Sequence, residues 1–368
     1  MRLSRILTGV ALAFPGIAVL SPALAAPVTL TIFEWEGYIL PYAADFEAYA
    51  KSKGVEVKLA GLAGAHGKPR YIATADDIYQ AARRGEVDIV TPTNNYFKDS
   101  NGKLLRLLAP LDIAAMPNFK DVIGNLKTAD FADLDGKKYA VPLLGGGYSL
   151  AYNADRVKEA PTSWQALLDP KYKGRVSVTN AQVEANVYVA AILSGVAPQS
   201  IYRYDNLDAA KVGGILGQLA ANSPVFWDGS PDVAKMKSDL DIITDYGFAA
   251  TAANAEGQNW KFANPVEATT VWLDTIALTQ QAAENPDKAK AAHLLMDFML
   301  SPEIQGRLAV TFGTVVPNPK AVEAVAAADQ GKVRVATNDF FKPELLWQPL
   351  DERTRNGFKQ LWEKAQAR

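Results

Sequence analysis

The chain has 368 residues, 49% of them hydrophobic and 21% charged, and its formal net charge is −2. A balance this close to neutral argues against nucleic acid as a partner. The sequence contains no cysteine, which excludes disulfides, thiolate chemistry and a lipid-anchoring cysteine, and its length predicts about two globular domains.

The first 25 residues have the composition of a secretory signal peptide. Arg2 and Arg5 precede an apolar stretch, and Ala23-Leu24-Ala25 supplies a small-x-small cleavage site. No second long apolar run follows, so we interpret 1–25 as a cleaved signal and not as a membrane span. The sequence therefore predicts a periplasmic protein whose stability depends on large cores of its own.

Predicted strands and helices alternate from the start of the mature chain. In order, they are strands at 29–35 and 55–60 around a helix at 41–52, a helix that Thr74 caps, and a strand at 87–91. Such alternation predicts a mostly parallel sheet covered by helices, with ligands bound beyond the carboxyl ends of its strands. The polar turn at 91–95, which includes Thr93 and Asn95, lies at such an end.

A second unit begins near the three glycines at 145–147. Its predicted elements are a strand at 148–153, a short helix opened by Thr162 to Gln165, a strand at 175–179, a helix at 182–193 that Asn180 caps, a strand at 269–278, a helix that Asn285 and Pro286 begin, a helix from Ser301 to Gly313, and a C-terminal helix with Phe358, Leu361 and Trp362 on one face. The sequence thus predicts an α/β protein built from two units.

Two clusters of aromatic and acidic residues end predicted strands that are far apart in sequence. One is Trp35-Glu36-Gly37-Tyr38 and the other is Trp272-Leu273-Asp274. Ring faces attract positive charge and carboxylates neutralise it, so the combination is suited to a small organic cation. Either cluster alone is also compatible with an ordinary strand whose tryptophan is buried.

An ordered set of landmarks extends these clusters along the whole mature chain. They are Trp35-x-x-Tyr38, 88–93, 139–142, 148–153, Ser163-Trp164, 170–174, Trp272-x-Asp274, 292–302, Pro317-Asn318 and Trp347-Gln348. On these landmarks the chain resembles the extracellular solute-binding proteins of ABC importers, in the spermidine/putrescine-binding group. The resemblance implies a two-lobed periplasmic binding protein fold, type II-like, with the ligand in a cleft between two α/β lobes.

The same resemblance implies where the chain crosses between the lobes. Lobe one is expected to contain 26–145 and 273–316, and lobe two 146–272 and 317–368. Closure of the lobes around the ligand would give the form that the permease subunits of the importer recognise. The protein is expected to act as a monomer, without a cofactor or a metal.

The resemblance also implies a set of ligand-binding residues. Proteins of this group sandwich an aliphatic chain between aromatic rings and fix its ammonium groups with carboxylates. Asp274 and Glu184 match acidic positions, although a Glu in the first turn of a helix also supports the helix dipole. The expected ligand-binding residues are Trp35, Glu36, Tyr38, Thr93, Asn95, Glu184, Trp272, Asp274, Gln348 and Arg70.

The sequence departs from the polyamine-binding pattern at several positions. Acids of the group align with Gly37 and Ala181, and aromatic positions appear as Asn95, as Ala250 or a neighbour, and as Thr314. Fewer acids suit a ligand with one positive charge, so a zwitterionic ligand such as an amino acid or 4-aminobutyrate is an alternative to a polyamine. A sugar stacked on the rings is another.

An insertion at 61–71 bears on the zwitterionic alternative. It follows a predicted strand and carries Lys68 and Arg70, and arginine forms bidentate contacts with carboxylates. Arg70 is therefore a candidate partner for the carboxylate of a zwitterion. The other interpretation is a solvated surface loop.

An enzyme is a remote alternative, in the form of a secreted hydrolase. His66 and His293 are the two histidines, and no metalloprotease, serine-hydrolase or phosphate-loop motif is present. Glu34 and Glu36 flank Trp35 without an independent sign of an acid–base pair. Tyrosine pairs and well-placed histidines for an iron site are also missing. The sequence predicts a binding protein that makes and breaks no covalent bonds.

Overall fold

The computed structural model describes residues 27–98 and 102–367. The signal peptide predicted over 1–25 lies outside the described residues. Of the helices in the described ranges, none combines the length and the apolar character that crossing a bilayer requires.

Two mixed sheets organise the described chain, as expected for an α/β protein. In spatial order the larger sheet contains β14 (Arg334–Val335), β13 (Val315–Val316), β6 (Ala140–Gly147), β12 (Val271–Leu278), β3 (Ile89–Val90), β1 (Val28–Phe33) and β2 (Val57–Gly61). The smaller sheet contains β11 (Trp260–Phe262), β7 (Ser149–Asn153), β10 (Ile242–Asp245), β8 (Val176–Thr179) and β9 (Val225–Trp227). A separate hairpin pairs β4 (Asp133–Leu134) with β5 (Lys137–Lys138).

Strands linked by strand–helix alternation pair in parallel, as β1 does with β2 and β3, and as β8 does with β9 and β10. The antiparallel pairs involve β6 and β12 in the larger sheet and β7 and β11 in the smaller one. These four strands bring the chain from one sheet to the other and back, a path that local alternation does not indicate.

Helices pack around both sheets. They are α1 (Ala43–Ser52), α2 (Ala75–Arg83), α3 (Gly124–Thr128), α4 (Val183–Leu193), α5 (Ala209–Asn222), α6 (Val233–Ser238), α7 (Phe248–Ala255), α8 (Gln280–Ala283), α9 (Pro286–Met299), α10 (Pro302–Phe312) and α11 (Glu352–Gln366). Short 3₁₀ turns connect many of them.

Most helix ends follow local signals in the sequence. Thr74 forms a capping box with Asp77 at the start of α2, and Asn285 accepts two backbone N–H bonds at the start of α9. Ser301 caps α10, and Gly313 ends it with φ at +66°. Each of these residues satisfies backbone groups that the helix itself leaves unpaired.

The prediction that Asn180 caps α4 is wrong. Gln182 precedes the first residue of α4, and no side chain caps this helix. The Asn180 Oδ1 atom accepts hydrogen bonds from Trp362 Nε1 at 3.0 Å and Gln366 Nε2 at 2.9 Å, both in α11. The side-chain oxygen of Asn180 therefore binds α11, which is distant in sequence, and not the first amides of α4.

The chain leaves the larger sheet at the predicted glycines. Strand β6 ends at Gly147, and β7 begins in the smaller sheet at Ser149. Gly146 pairs with Trp272 in the register of β6 and β12, and a Cβ on Gly146 would lie 2.9 Å from Trp272 Cζ2. Such a distance is too short for carbon atoms, so the glycine leaves the space that the indole occupies.

The C-terminal segment contacts both sheets. Its strand β14 pairs with β13 at the edge of the larger sheet, whereas α11 packs on α4 and α5 beside the smaller one. The stretch after 316, which the sequence expectation gives to lobe two, thus adds a strand to the larger sheet first. Between these elements, the Trp347 amide donates to the Val271 carbonyl at 2.8 Å.

Candidate ligand-binding site

A cavity of about 730 Å³ opens where strands of both sheets end. Aromatic residues are the largest group in its lining, nine of twenty, and the others are acids, hydroxyl-bearing residues, small residues, one isoleucine and one glutamine. The lining residues are Trp35, Glu36, Tyr38, Tyr71, Ile72, Ala73, Thr93, Thr179, Ala181, Gln182, Trp227, Asp228, Gly229, Ser230, Tyr246, Phe248, Trp272, Asp274, Phe312 and Trp347.

The rings of the cavity support one another through edge-to-face contacts. The centroid of Tyr246 lies 5.4 Å from that of Trp227 and 6.1 Å from those of Trp272 and Trp347, all with steep interplanar angles. Such arrangements bring the positive edge of one ring to the negative face of another. The walls of the cavity therefore present large apolar surfaces in fixed orientations, together with ring faces that favour a cation.

Asp274 is the buried acid of the cavity, with 4% of its surface exposed. Tyr38 donates its hydroxyl to Oδ2 at 2.8 Å, and Thr93 donates its hydroxyl to Oδ1 at 2.6 Å. Burial raises the pKa of Asp274 to about 7, and the two hydroxyl donors oppose that rise. Each carboxylate oxygen keeps a lone pair for a further donor.

Backbone pairing places these three residues together. Thr93 and Asp274 form an isolated antiparallel bridge, and the register of β12 shifts between Asp274 and Thr275. Asn94 accepts from the Leu273 amide at 3.1 Å and donates to the Trp347 carbonyl at 2.6 Å. The polar turn after β3 thus fixes both the strand that carries Asp274 and the segment that carries Trp347.

The charge of the lining is negative. Glu36, Asp228 and Asp274 are its acids, and none of the described lining residues is Lys, Arg or His. A buried ammonium needs a carboxylate partner, whereas a buried carboxylate on a ligand would need a cation that this lining does not supply. The cavity is therefore suited to a ligand with positive charge and an apolar stem.

Six of the residues predicted from sequence lie together in this cavity. They are Trp35, Glu36, Tyr38, Thr93, Trp272 and Asp274. Asn95, Glu184, Gln348 and Arg70 are not among its lining residues.

Arg70 and Gln348 point to partners elsewhere. The guanidinium of Arg70 pairs with Asp77 at 2.7 Å and lies over the ring of Phe33. Gln348 donates to the carbonyls of Pro343 and Leu346. Their neighbours Tyr71 and Trp347 line the cavity in their place, so these two segments reach the cavity through other side chains than those predicted.

Asn95 and Glu184 are the other two predicted residues outside the lining. Asn95 is buried in a 3₁₀ turn, and Glu184 is half-buried in the first turn of α4. Burial raises the pKa of Glu184, while its own backbone amide and Arg355 lower it. On this part of α4 it is Gln182 that reaches the cavity.

Several lining residues escaped the sequence analysis although they follow the rule that found Trp35. Trp227 and Asp228 come directly at the end of β9, and Tyr246 and Phe248 follow β10. Strand ends followed by Asp-Gly or Tyr-Gly were the available signal. Phe312, at the end of α10, carries no comparable signal, because only tertiary packing brings it to the cavity.

Within 27–98 and 102–367, no group of three or more His, Cys, Asp or Glu residues is close enough to hold a metal ion.

Comparison with known proteins places this geometry in a family. The spermidine/putrescine-binding periplasmic protein of Escherichia coli is 22% identical over 294 residues, which cover 79% of this chain and 78% of that protein. The putrescine/agmatine-binding protein of Pseudomonas aeruginosa is 24% identical over 334 residues, which cover 84% of each.

The fold agrees with a crystal structure of a spermidine/putrescine ABC transporter substrate-binding protein from Streptococcus pneumoniae. The TM-score is 0.70 at 19% identity, with 92% of this chain and 99% of that chain covered. Residues 87–343 match the family described as bacterial extracellular solute-binding protein. The chain therefore belongs to the family of bacterial extracellular solute-binding proteins.

Proposed function

We propose that this protein is the periplasmic substrate-binding component of an ABC importer and captures a polyamine or a similar small cationic amine. Its aromatic cavity encloses the aliphatic stem, and Asp274 accepts from an ammonium group. The closed, loaded protein then docks as a monomer on the permease subunits. No step of this cycle makes or breaks a covalent bond.

The observation that carries the proposal is the environment of Asp274. The carboxylate is buried among rings, accepts two hydroxyl hydrogen bonds, and has no cationic partner in the lining. A desolvated carboxylate of this kind is costly without a counter-charge. An ammonium from the ligand supplies that counter-charge, and the rings around it add cation–π attraction.

The alternatives receive less support from the cavity. A zwitterionic ligand needs a cation for its carboxylate, and Arg70, the candidate for that role, is paired with Asp77 outside the lining. A neutral sugar would stack on the rings but would leave Asp274 without a counter-charge. A hydrolase would require an acid–base pair, and Glu34, one member of the Glu34–Glu36 pair considered from sequence, is absent from the lining.

Calorimetry and thermal unfolding of the mature protein test the proposal. Putrescine, spermidine and agmatine are the probes, with 4-aminobutyrate and glucose as comparators. We expect saturable binding of at least one cationic amine and, at a hundredfold excess over the Kd, a gain in stability of roughly 2.7 kcal/mol. Binding of 4-aminobutyrate or glucose alone, with no response to any cationic amine, would contradict it.

A further inference from the structure

Two buried acids lie at matching places on the two sides of the cavity, and neither lines it. Glu34 follows the last residue of β1 and is 1% exposed, while Asp245 is the last residue of β10 and is 0% exposed. One belongs to the larger sheet and the other to the smaller sheet. Neither forms an ion pair with a Lys, Arg or His in the part of the chain that the structure describes.

Both acids accept hydrogen bonds from backbone amides a few residues further along the chain. Glu34 accepts from Ile39 through Oε2, and from Leu40 at 3.3 Å. Asp245 accepts from Ala249 at 3.2 Å through Oδ1 and from Ala250 at 2.8 Å through Oδ2. Each carboxylate therefore closes the turn that leads from a strand into a helix.

Each turn encloses residues that line the ligand cavity. Trp35, Glu36 and Tyr38 lie between Glu34 and its amide partners, and Tyr246 and Phe248 lie between Asp245 and its partners. We call these two segments, 34–40 and 245–250, the aromatic turns. Each has one glycine in the left-handed region, at φ +90° for Gly37 and +115° for Gly247.

One ring joins the two aromatic turns. Phe312 lies with its centroid 5.4 Å from that of Tyr38 and 5.6 Å from that of Phe248, edge-to-face in both cases. A Cβ on Gly37 would lie 3.1 Å from the Phe312 ring, and the Gly247 Cβ position is 3.4 Å from the Gly313 carbonyl. A shift of either turn would therefore displace the Phe312 ring, which contacts the other turn.

We propose that Glu34 and Asp245 are paired positioning residues, which hold the two aromatic turns of the cavity in the geometry that binds the ligand. They act through the backbone and do not touch the ligand. The affinity part of its test rests on the proposed function, because it uses putrescine, spermidine and agmatine as probes. Its backbone measurement needs no ligand.

The two carboxylates differ in how they can be replaced. In Glu34, one oxygen is within reach of both amides, so the amide oxygen of Glu34→Gln can serve both. In Asp245, each oxygen serves a different amide, so Asp245→Asn turns an NH₂ group toward a backbone N–H. Removing one buried partner strands a donor, so we expect amine affinity to fall at least about tenfold in Glu34→Ala and Asp245→Asn, but less than about threefold in Glu34→Gln.

The matched control is Asp208, which caps α5 by accepting from Ala210 and Lys211 at 3.0 Å each. Asp208→Ala removes the same kind of bond away from the cavity lining, so it should lower the Tm and leave amine affinity unchanged. This control shows the effect of losing a helix cap on the Tm when the cavity is unchanged.

Amide hydrogen exchange on the ligand-free protein completes the experiment. We expect faster exchange confined to 37–40 in Glu34→Ala and to 247–250 in Asp245→Asn, with Glu34→Gln close to wild type. The proposal is overturned if these variants lower the Tm as Asp208→Ala does while affinity and local protection stay unchanged. If the wild type binds none of the three amines, the proposed function fails, and the exchange pattern still decides the positioning role.

Discussion

The hydroxyl of Tyr38 donates to the carboxylate of Asp274 over 2.8 Å, although the two residues are 236 positions apart in the chain. The bond joins the loop after β1 to the middle of β12. Thr93 donates to the other oxygen of the same carboxylate, so three separate segments meet at one acid. This meeting point makes Asp274 the position where charge, stability and binding can be tested together.

Asp274→Asn should weaken amine binding and stabilise the empty protein. The folded-state pKa of about 7 lies above the ordinary value of 3.8, so the stability that the neutral carboxyl contributes is lost as pH rises through about 7. At pH 8 the variant should gain about 1–2 kcal/mol in free energy of unfolding without ligand and lose about 2–4 kcal/mol of binding energy. Denaturant unfolding and calorimetry measure the two effects. If Asp274→Asn lowered the free energy of unfolding as well as the amine affinity, the carboxylate would support the fold and not serve the ligand.

Amine affinity should depend on pH through the same group. An ammonium needs the ionised carboxylate, so the association constant should be nearly constant above about pH 7 and fall up to about tenfold for each unit below it. Calorimetry between pH 5.5 and 8.5 gives the slope. The slope should vanish in Asp274→Asn. Burial raises the pKa of Glu34 to about 7 as well, so Glu34→Gln is the control, and the slope should persist in that variant. Persistence of the slope in Asp274→Asn would assign the titration to another residue.

Gly146→Ala should damage the cavity through the backbone of β6. The new methyl would lie 2.9 Å from Trp272 Cζ2 and 3.0 Å from the Tyr246 carbonyl, so the indole must move. Overpacking of this kind costs about 1–3 kcal/mol of stability, and we expect amine affinity to fall with it. The control is Gly214→Ala in α5, where a Cβ has open space and helix propensity favours alanine by about 0.5–1 kcal/mol. Equal affinity in both variants would show that the position of Trp272 does not matter for binding.

Arg70→Ala should leave ligand affinity unchanged. The guanidinium is paired with Asp77 and lies over Phe33, outside the cavity lining. Loss of this half-exposed pair should cost about 0.2–1 kcal/mol of stability. Calorimetry with the bound amine and with 4-aminobutyrate checks this expectation. A selective loss of 4-aminobutyrate binding would instead restore the role for Arg70 that the sequence suggested.

Part of the candidate site was accessible from sequence through the rule that ligands bind beyond strand ends. Trp35 and Thr93 follow the ends of β1 and β3. Asp274, which the sequence expectation placed at a strand end, lies inside β12, and the resemblance to a known family singled it out. The same rule would have found Trp227 and Tyr246 had it been applied to the second sheet. Where strands alternate with helices and pair in parallel, their carboxyl ends meet at one edge of the sheet, so the chain pattern indicates which of these segments reach the cleft.

The remaining residues depend on contacts that local sequence does not encode. Phe312 ends a helix whose cap was predicted, yet its place in the cavity follows from packing against Tyr38 and Phe248. Asn180 reads as a helix cap but is an acceptor for α11. In both cases a partner distant along the chain decides where the side chain points.

Trp35, Trp227, Trp272 and Trp347 surround one cavity, and these are four of the seven tryptophans of the chain. More than half of the indoles of the protein thus line the cavity in which we propose that the solute binds. Since the sequence has no cysteine, a thiol engineered onto the rim would be the sole point of dye attachment. Energy transfer from those indoles to such a dye would then report optically when the solute binds.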